Sequence, residues 1–170
     1  MLGDSAVRAY KMTKYWAFDQ QLSMYAQFSK PFTCKIINDT IIDSNGHDFV
    51  RCKALLRFSD IADNEELFVK VGVSAVDWDG AEKNVRSEIS SWDFDKIRNA
   101  AHDKWNNYLS TIEIEADDDA DKTIFYTAMY HAAISPNLFM DVDGRYLGMD
   151  RKTHQGNPDK PVYTVFSLWD

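Results

Sequence analysis

The chain has 170 residues, 45% of them hydrophobic and 14% aromatic, which is ample for a packed core and unlike a disordered tail. Lys and Arg number 19 against 27 Asp and Glu, and the net charge of −8 repels nucleic-acid backbones and anionic membrane surfaces, leaving neutral sugars, peptides or cations as better partners. No apolar run of about 18 residues is present to span a bilayer, and Met1-Leu-Gly-Asp-Ser5 has no signal-peptide character, so the signal of an exported parent would lie upstream.

In chain order, β-rich or period-two runs come first: Leu22 to Phe28, Phe32 to Ile37, Phe49 to Phe58 and Leu67 to Val76. Turn signals separate them at Ser29-Lys-Pro31, Asp43-Ser-Asn-Gly46 and Ala62-Asp-Asn-Glu65. Closely spaced strands of this kind predict an antiparallel sandwich or part of one. From Trp78 the texture turns to charged residues at helical spacing. Phe94, Ile97, Ala101, Trp105 and Tyr108 form the apolar stripe of an amphipathic helix with Ser91 as its expected N-cap. Thr111 to Glu115 alternates like a short strand, and the acidic run Asp117 to Asp121 leads into a second helix over Lys122 to Ile134 that Pro136 stops. Asp141-Val-Asp-Gly-Arg-Tyr146 predicts a tight hairpin, Gln155 to Pro161 a surface loop, and Ser167 the cap of a further helix beginning at Leu168-Trp-Asp170.

Chemistry-bearing patterns are few. Cys34 and Cys52 fit no metal or redox spacing and read as buried free thiols; a disulfide would need adjacent strands in register. His47, His102, His131 and His154 lack HxxxH or HExxH spacing and read as structural or exposed. Asp141 and Asp143, two apart on a strand, would stand about 7 Å from one another, near the spacing of an inverting acid and base. The plainer reading is that they shape and solvate the hairpin. An EF-hand is excluded, because Gly144 is fourth and Lys152 twelfth in such a loop.

Asn137-Leu-Phe-Met-Asp-Val-Asp-Gly-Arg-Tyr146 and Tyr163-Thr-Val-Phe-Ser-Leu-Trp-Asp170 resemble strings of glycoside hydrolase family 92, the calcium-dependent exo-acting α-mannosidases. Trp16-Ala-Phe-Asp-Gln-Gln21, Phe28-Ser-Lys-Pro-Phe32, Val71-Gly-Val-Ser-Ala75, Trp92-Asp-Phe-Asp-Lys96 and Phe125-Tyr-Thr-Ala-Met-Tyr-His131 extend the likeness in the same order. The resemblance implies an α+β fold: a partial antiparallel β-sandwich followed by linker helices and the first elements of an (α/α)6 barrel. The divisions expected are 1–77 for the last sandwich strands, 78–112 for the linker helices and 113–170 for the truncated start of the catalytic barrel.

It also implies release of terminal α-linked mannose, α-1,2 above all, from mannose-containing glycans, with inversion, calcium assistance and a periplasmic or secreted parent. The general acid and base are expected beyond Asp170, so the chain alone should be inactive and in need of the rest of the barrel. Trp169 and Asp170 are the residues expected to touch mannose, an indole against a sugar face and a carboxylate accepting from vicinal hydroxyls. No calcium ligand is assigned. The rival reading is a non-catalytic carbohydrate-binding or interaction module of β-sandwich type, which accounts for the aromatic content without an acid and base.

Overall fold

A computed structural model describes residues 3–13, 20–42, 48–59 and 61–164. In chain order these form β1 (Ala6–Thr13), β2 (Gln20–Phe28), β3 (Thr33–Ile42), β4 (Asp48–Arg57), β5 (Val69–Ser74), α1 (Trp78–Glu88), α2 (Phe94–Leu109), α3 (Asp119–Ile134), β6 (Arg145–Leu147) and β7 (Thr153–Gln155). All strand pairing is antiparallel, in a sheet of order β1-β2-β5 and two hairpins, β3-β4 and β6-β7. The fold class is α+β, and among the described residues no helix is long and apolar enough to cross a membrane.

The core lies where α1 packs on the three-stranded sheet. Ala81 and Val85 are buried there with Ala6 and Tyr25. Gly72 permits the approach, since a Cβ on it would stand 2.4 Å from Val85 Cγ2 and 2.5 Å from the Ala81 carbonyl oxygen. Trp78 pins the start of the helix to β1 by donating from Nε1 to Ala9 O at 3.0 Å. Asp77 caps it, accepting from Gly80 N at 2.7 Å.

The buried row of β5 is the polar one. Lys70 and Ser74 point towards α1, while Val69, Val71 and Val73 on the opposite face stay about half exposed. Lys70 Nζ donates to Ile89 O at the end of α1, 3.0 Å away, and lies 4.1 Å from the Trp92 ring centre. The cation thereby completes an otherwise open helix C-terminus.

Several boundaries differ from expectation. β1 is a strand that the sequence runs did not mark. Thr111 to Glu115 forms no strand, having no pairing partner among the described residues. The cap of α2 is Asp93, accepting from Lys96 N at 2.9 Å, rather than Ser91. The acidic run begins α3 three residues earlier than expected, with Asp118 as its cap. Nor are the thiols buried: Cys34 is half-buried and Cys52 exposed. Cys34 pairs with Leu56 and Cys52 with Asn38, so four strand positions, about 13 Å, separate them and rule out a disulfide between them. The expected turn at 43–46 and His47 lie outside the described residues.

Candidate functional site

The Asp141–Arg145 turn is held from the inside by α1 and the end of β5. Gly144 N donates to Asp141 O and Asp141 N to Arg145 O, each at 2.8 Å, with Gly144 alone in the turn at positive φ, +84°. This is a three-residue turn closed by a glycine bulge, rather than the two-residue turn that needs positive φ at both centres. Helix α1 presents Gly80, Lys83 and Asn84 towards it, three and four residues apart on one helical face.

The two tempting carboxylates part company here. Asp141 is buried, accepting from Ser74 Oγ at 2.7 Å and from Asn84 Nδ2 at 2.8 Å. Asn84 Nδ2 also donates to Val73 O, and its Oδ1 accepts from Val142 N, so the amide is engaged at both ends. Asp143 instead meets Lys83 Nζ at 2.8 Å and Arg145 Nε at 2.9 Å. Arg145 reaches across to Asp77 with both terminal nitrogens, at 2.6 and 3.1 Å, a bidentate fork onto the residue that caps α1.

The charges shape one another. Arg145 holds the Asp77 carboxyl below its usual range, against the upward push of partial burial. Burial also pushes Asp143 upward, yet hydrogen bonds from Lys83 and from Arg145 leave it lowered. The Arg145 guanidinium is raised in turn, chiefly by its hydrogen bond to Asp77.

Each of the three carboxylates is thus taken up by donors or cations. An inverting pair must instead flank a water, roughly 6.5–9.5 Å apart. Asp141 and Asp143 accordingly act as turn-shaping groups. A cavity of about 330 Å³ opens beside the cluster, with Val71, Val73, Asn84, Glu88, Phe139 and Met140 in its wall. Asp141 also borders it, but spends both carboxylate oxygens on Ser74 and Asn84.

Calcium needs six to eight oxygens, several of them free carboxylate oxygens. The Asp77, Asp141 and Asp143 cluster does not fit, because Arg145 and Lys83 already supply its positive charge. No group of three or more His, Cys, Asp or Glu among the described residues could hold a metal ion. His154 Nε2 lies 2.9 Å from Asp150 Oδ1 and stacks on Tyr146, His102 neighbours Asp103, and His131 packs on Tyr130.

Trp169 and Asp170 lie outside the described residues. The chain reaches them from a short antiparallel bridge in which Phe139 N donates to Val162 O and Thr164 N to Asn137 O, both at 2.8 Å. Sequence reasoning missed Ser74, Asp77, Lys83 and Asn84. Only Asp77 carried a local signal, as an Asp immediately before a helical pattern.

Residues 80–170 match the glycosyl hydrolase family 92 catalytic domain. The family GH92 α-mannosidase BT3965 from Bacteroides thetaiotaomicron is 32% identical over 100% of this chain, which covers 24% of that protein, with a TM-score of 0.86. Its complex with mannoimidazole aligns equally well, at 32% identity and a TM-score of 0.85, covering 100% of this chain and 23% of that one. An uncharacterized secreted glycosidase of Arthroderma benhamiae is 31% identical over 102 residues, 51% of this chain and 13% of the relative. The chain therefore spans about a quarter of the length of these solved relatives. With the catalytic-domain match extending over more than half of its residues, the chain belongs to glycosyl hydrolase family 92.

Proposed function

We propose that the chain is part of an exo-acting α-mannosidase that removes terminal α-linked mannose, preferentially α-1,2-linked, from glycans. The observation that carries this reading is the 32% identity sustained over the whole chain with an α-mannosidase whose complex holds mannoimidazole. In this reading 1–77 are strands of a β-sandwich, 78–112 linking helices and 113–170 the start of an (α/α)6 barrel. The parent is exported, in keeping with the secreted glycosidase among its relatives. Trp169 and Asp170 contact mannose. Hydrolysis proceeds with inversion and calcium assistance, using an acid, a base and metal ligands from outside the described residues.

The chain's own part is to bind and orient. Its carboxylates around Arg145 are spent on fixing the turn, so proton transfer is left to groups elsewhere in the family domain.

The test is hydrolysis of α-1,2-mannobiose with and without calcium, by this chain and by the chain lengthened through the rest of the family domain. Release of mannose by the longer protein alone, first as the inverted β-anomer in an NMR time course, is the expected result. Retained configuration overturns inversion. Mannose binding without hydrolysis by either protein supports the non-catalytic module instead.

A further inference from the structure

We propose that the open edge of β5 receives an added strand, an extended and largely apolar segment drawn from the part of the family protein that this chain does not span. The proposal deepens the β-sandwich reading of 1–77 given above and rests on it.

β5 stands last in the order β1-β2-β5. Ser29 N donates to Phe68 O at 2.9 Å, which makes these two residues a hydrogen-bonded pair at the end of the ladder. Such pairs recur at every second residue of an antiparallel ladder, so Lys70, Gly72 and Ser74 turn their main-chain groups to β2. Those of Val69, Val71 and Val73 turn away from it. Val73 O follows this alternation, being taken by Asn84 Nδ2 at 2.9 Å. The amides of the three valines and the carbonyls of Val69 and Val71 have no hydrogen-bond partner among the described residues.

An edge that stays in water is commonly guarded by Lys, Pro or a bulge. β5 uses none of them: it lacks Pro, pairs with β2 without a break in register, and turns its lysine inward to Ile89 O. The opposite edge strand, β1, carries an exposed Lys11.

The flanks of the β5 edge are apolar. Trp92 and Phe94 line a groove along Val69 and Val71, and Leu138, Phe139 and Met140 line the cavity beside Val71 and Val73. An added strand satisfies the outward main chain while its side chains, apolar on both faces, meet these walls. Two observations favour the same polypeptide over a second copy as its source. The chain covers 24% of its solved relative, which leaves about three quarters of such a protein to supply strands. The walls also leave a slot for one extended segment, whereas a second copy would bring its own walls to the same edge.

The test is amide exchange along β5, resolved to single residues by fragmentation mass spectrometry, in this chain and in the chain lengthened to the span of its solved relatives. In this chain the Val69 and Val71 amides should exchange about a hundredfold or more faster than that of Gly72, which is paired with β2. In the lengthened protein they should be protected to within about tenfold of Gly72. Val71→Pro removes one outward N–H; this chain should tolerate it, as edge strands do, while the lengthened protein loses protection at Val69.

Fast exchange at Val69 and Val71 in the lengthened wild type overturns the proposal, whether or not Val71→Pro folds. So does protection that appears in this chain alone and rises with its concentration alongside a dimer in sedimentation velocity, since a second copy is then the occupant. Protection of both amides in a lengthened protein that hydrolyses no mannoside upholds the added strand and overturns the mannosidase reading alone.

Discussion

Gly80 is the residue through which α1 touches the candidate site most closely. A Cβ there would stand 2.1 Å from Asp141 Oδ2 and 2.8 Å from Ser74 Oγ, so an added methyl must evict a buried carboxylate from its donors. Overpacking together with a lost buried hydrogen bond predicts that Gly80→Ala destabilises the fold by about 2–4 kcal/mol, read from urea midpoints. An unchanged midpoint would mean that Asp141 has room to move.

The charges around Arg145 make a second prediction at this scale. Asp77 and Asp143 have lowered pKa values in the fold. Their stabilisation is therefore complete above the unfolded carboxylate value of about 3.9 and is lost as pH falls through the lower folded values. Stability should be level from about pH 7 to 5 and decline below about 4, and Arg145→Met should flatten that acid limb in urea titrations. An acid limb as steep as wild type in the variant would remove Arg145 as its cause. Asp141, Asp143 and Gly144 were legible as a turn because their chemistry is local. Their partners were not, since Ser74 lies 67 positions away from Asp141 and Asn84 57, joined only by the topology of β5 and α1.

Among the elements, α1 differs in kind from α2 and α3. It buries Gly80, Ala81 and Val85, whereas neither of the others has a buried residue. The apolar stripe of α2 is real in the sequence, yet Phe94 remains 61% exposed and the main aromatic contact to α3 is Trp105 with Tyr130, ring centres 4.6 Å apart. Helical periodicity reports which face wants burial; it does not report whether a partner lies within the chain. The same limit explains Thr111 to Glu115, whose alternation promised a strand where no strand among the described residues pairs with it. It also explains β5, where Val69, Val71 and Val73 stay about half exposed and Lys70 and Ser74 turn in, because the residues they meet belong to the end of α1 and to the Asp141 turn.

A helix of 16 residues without tertiary burial is marginal in water. Native-state exchange should therefore find β2, β5 and α1 amides the slowest, with those of α2 and α3 exchanging orders of magnitude faster. Asp93→Ala should weaken α2 by about 1 kcal/mol and leave α1 protection untouched. Equal protection across all three helices would show that α2 and α3 are stabilised by more than contacts such as that of Trp105 with Tyr130.

For the molecule as a whole the surface is the telling quantity. The chain exposes 13443 Å² at 19.6 kDa. A compact monomer of that mass exposes about 8,600 Å². Large apolar side chains contribute to it: the outer valines of β5, Ile36 and Leu55 on the long β3-β4 hairpin, Phe94 on α2 and Ile124 on α3. Faces of this extent mark surfaces that a partner covers or that aggregate, and the net charge of −8 opposes close approach only weakly once salt screens it. The solved relatives supply the natural comparison, since this chain covers no more than 24% of the first of them. The chain on its own should therefore bind a hydrophobic dye and self-associate at micromolar concentration, more strongly at high salt, with association visible by sedimentation velocity. Lengthening it through the rest of the family domain should abolish both behaviours and raise the melting temperature, because the added chain buries the same faces. A monodisperse monomer with a sharp melt and no dye binding would show that these faces are stable in water as they stand, and would remove the physical reason for tying the stability of this chain to the remainder of the family domain.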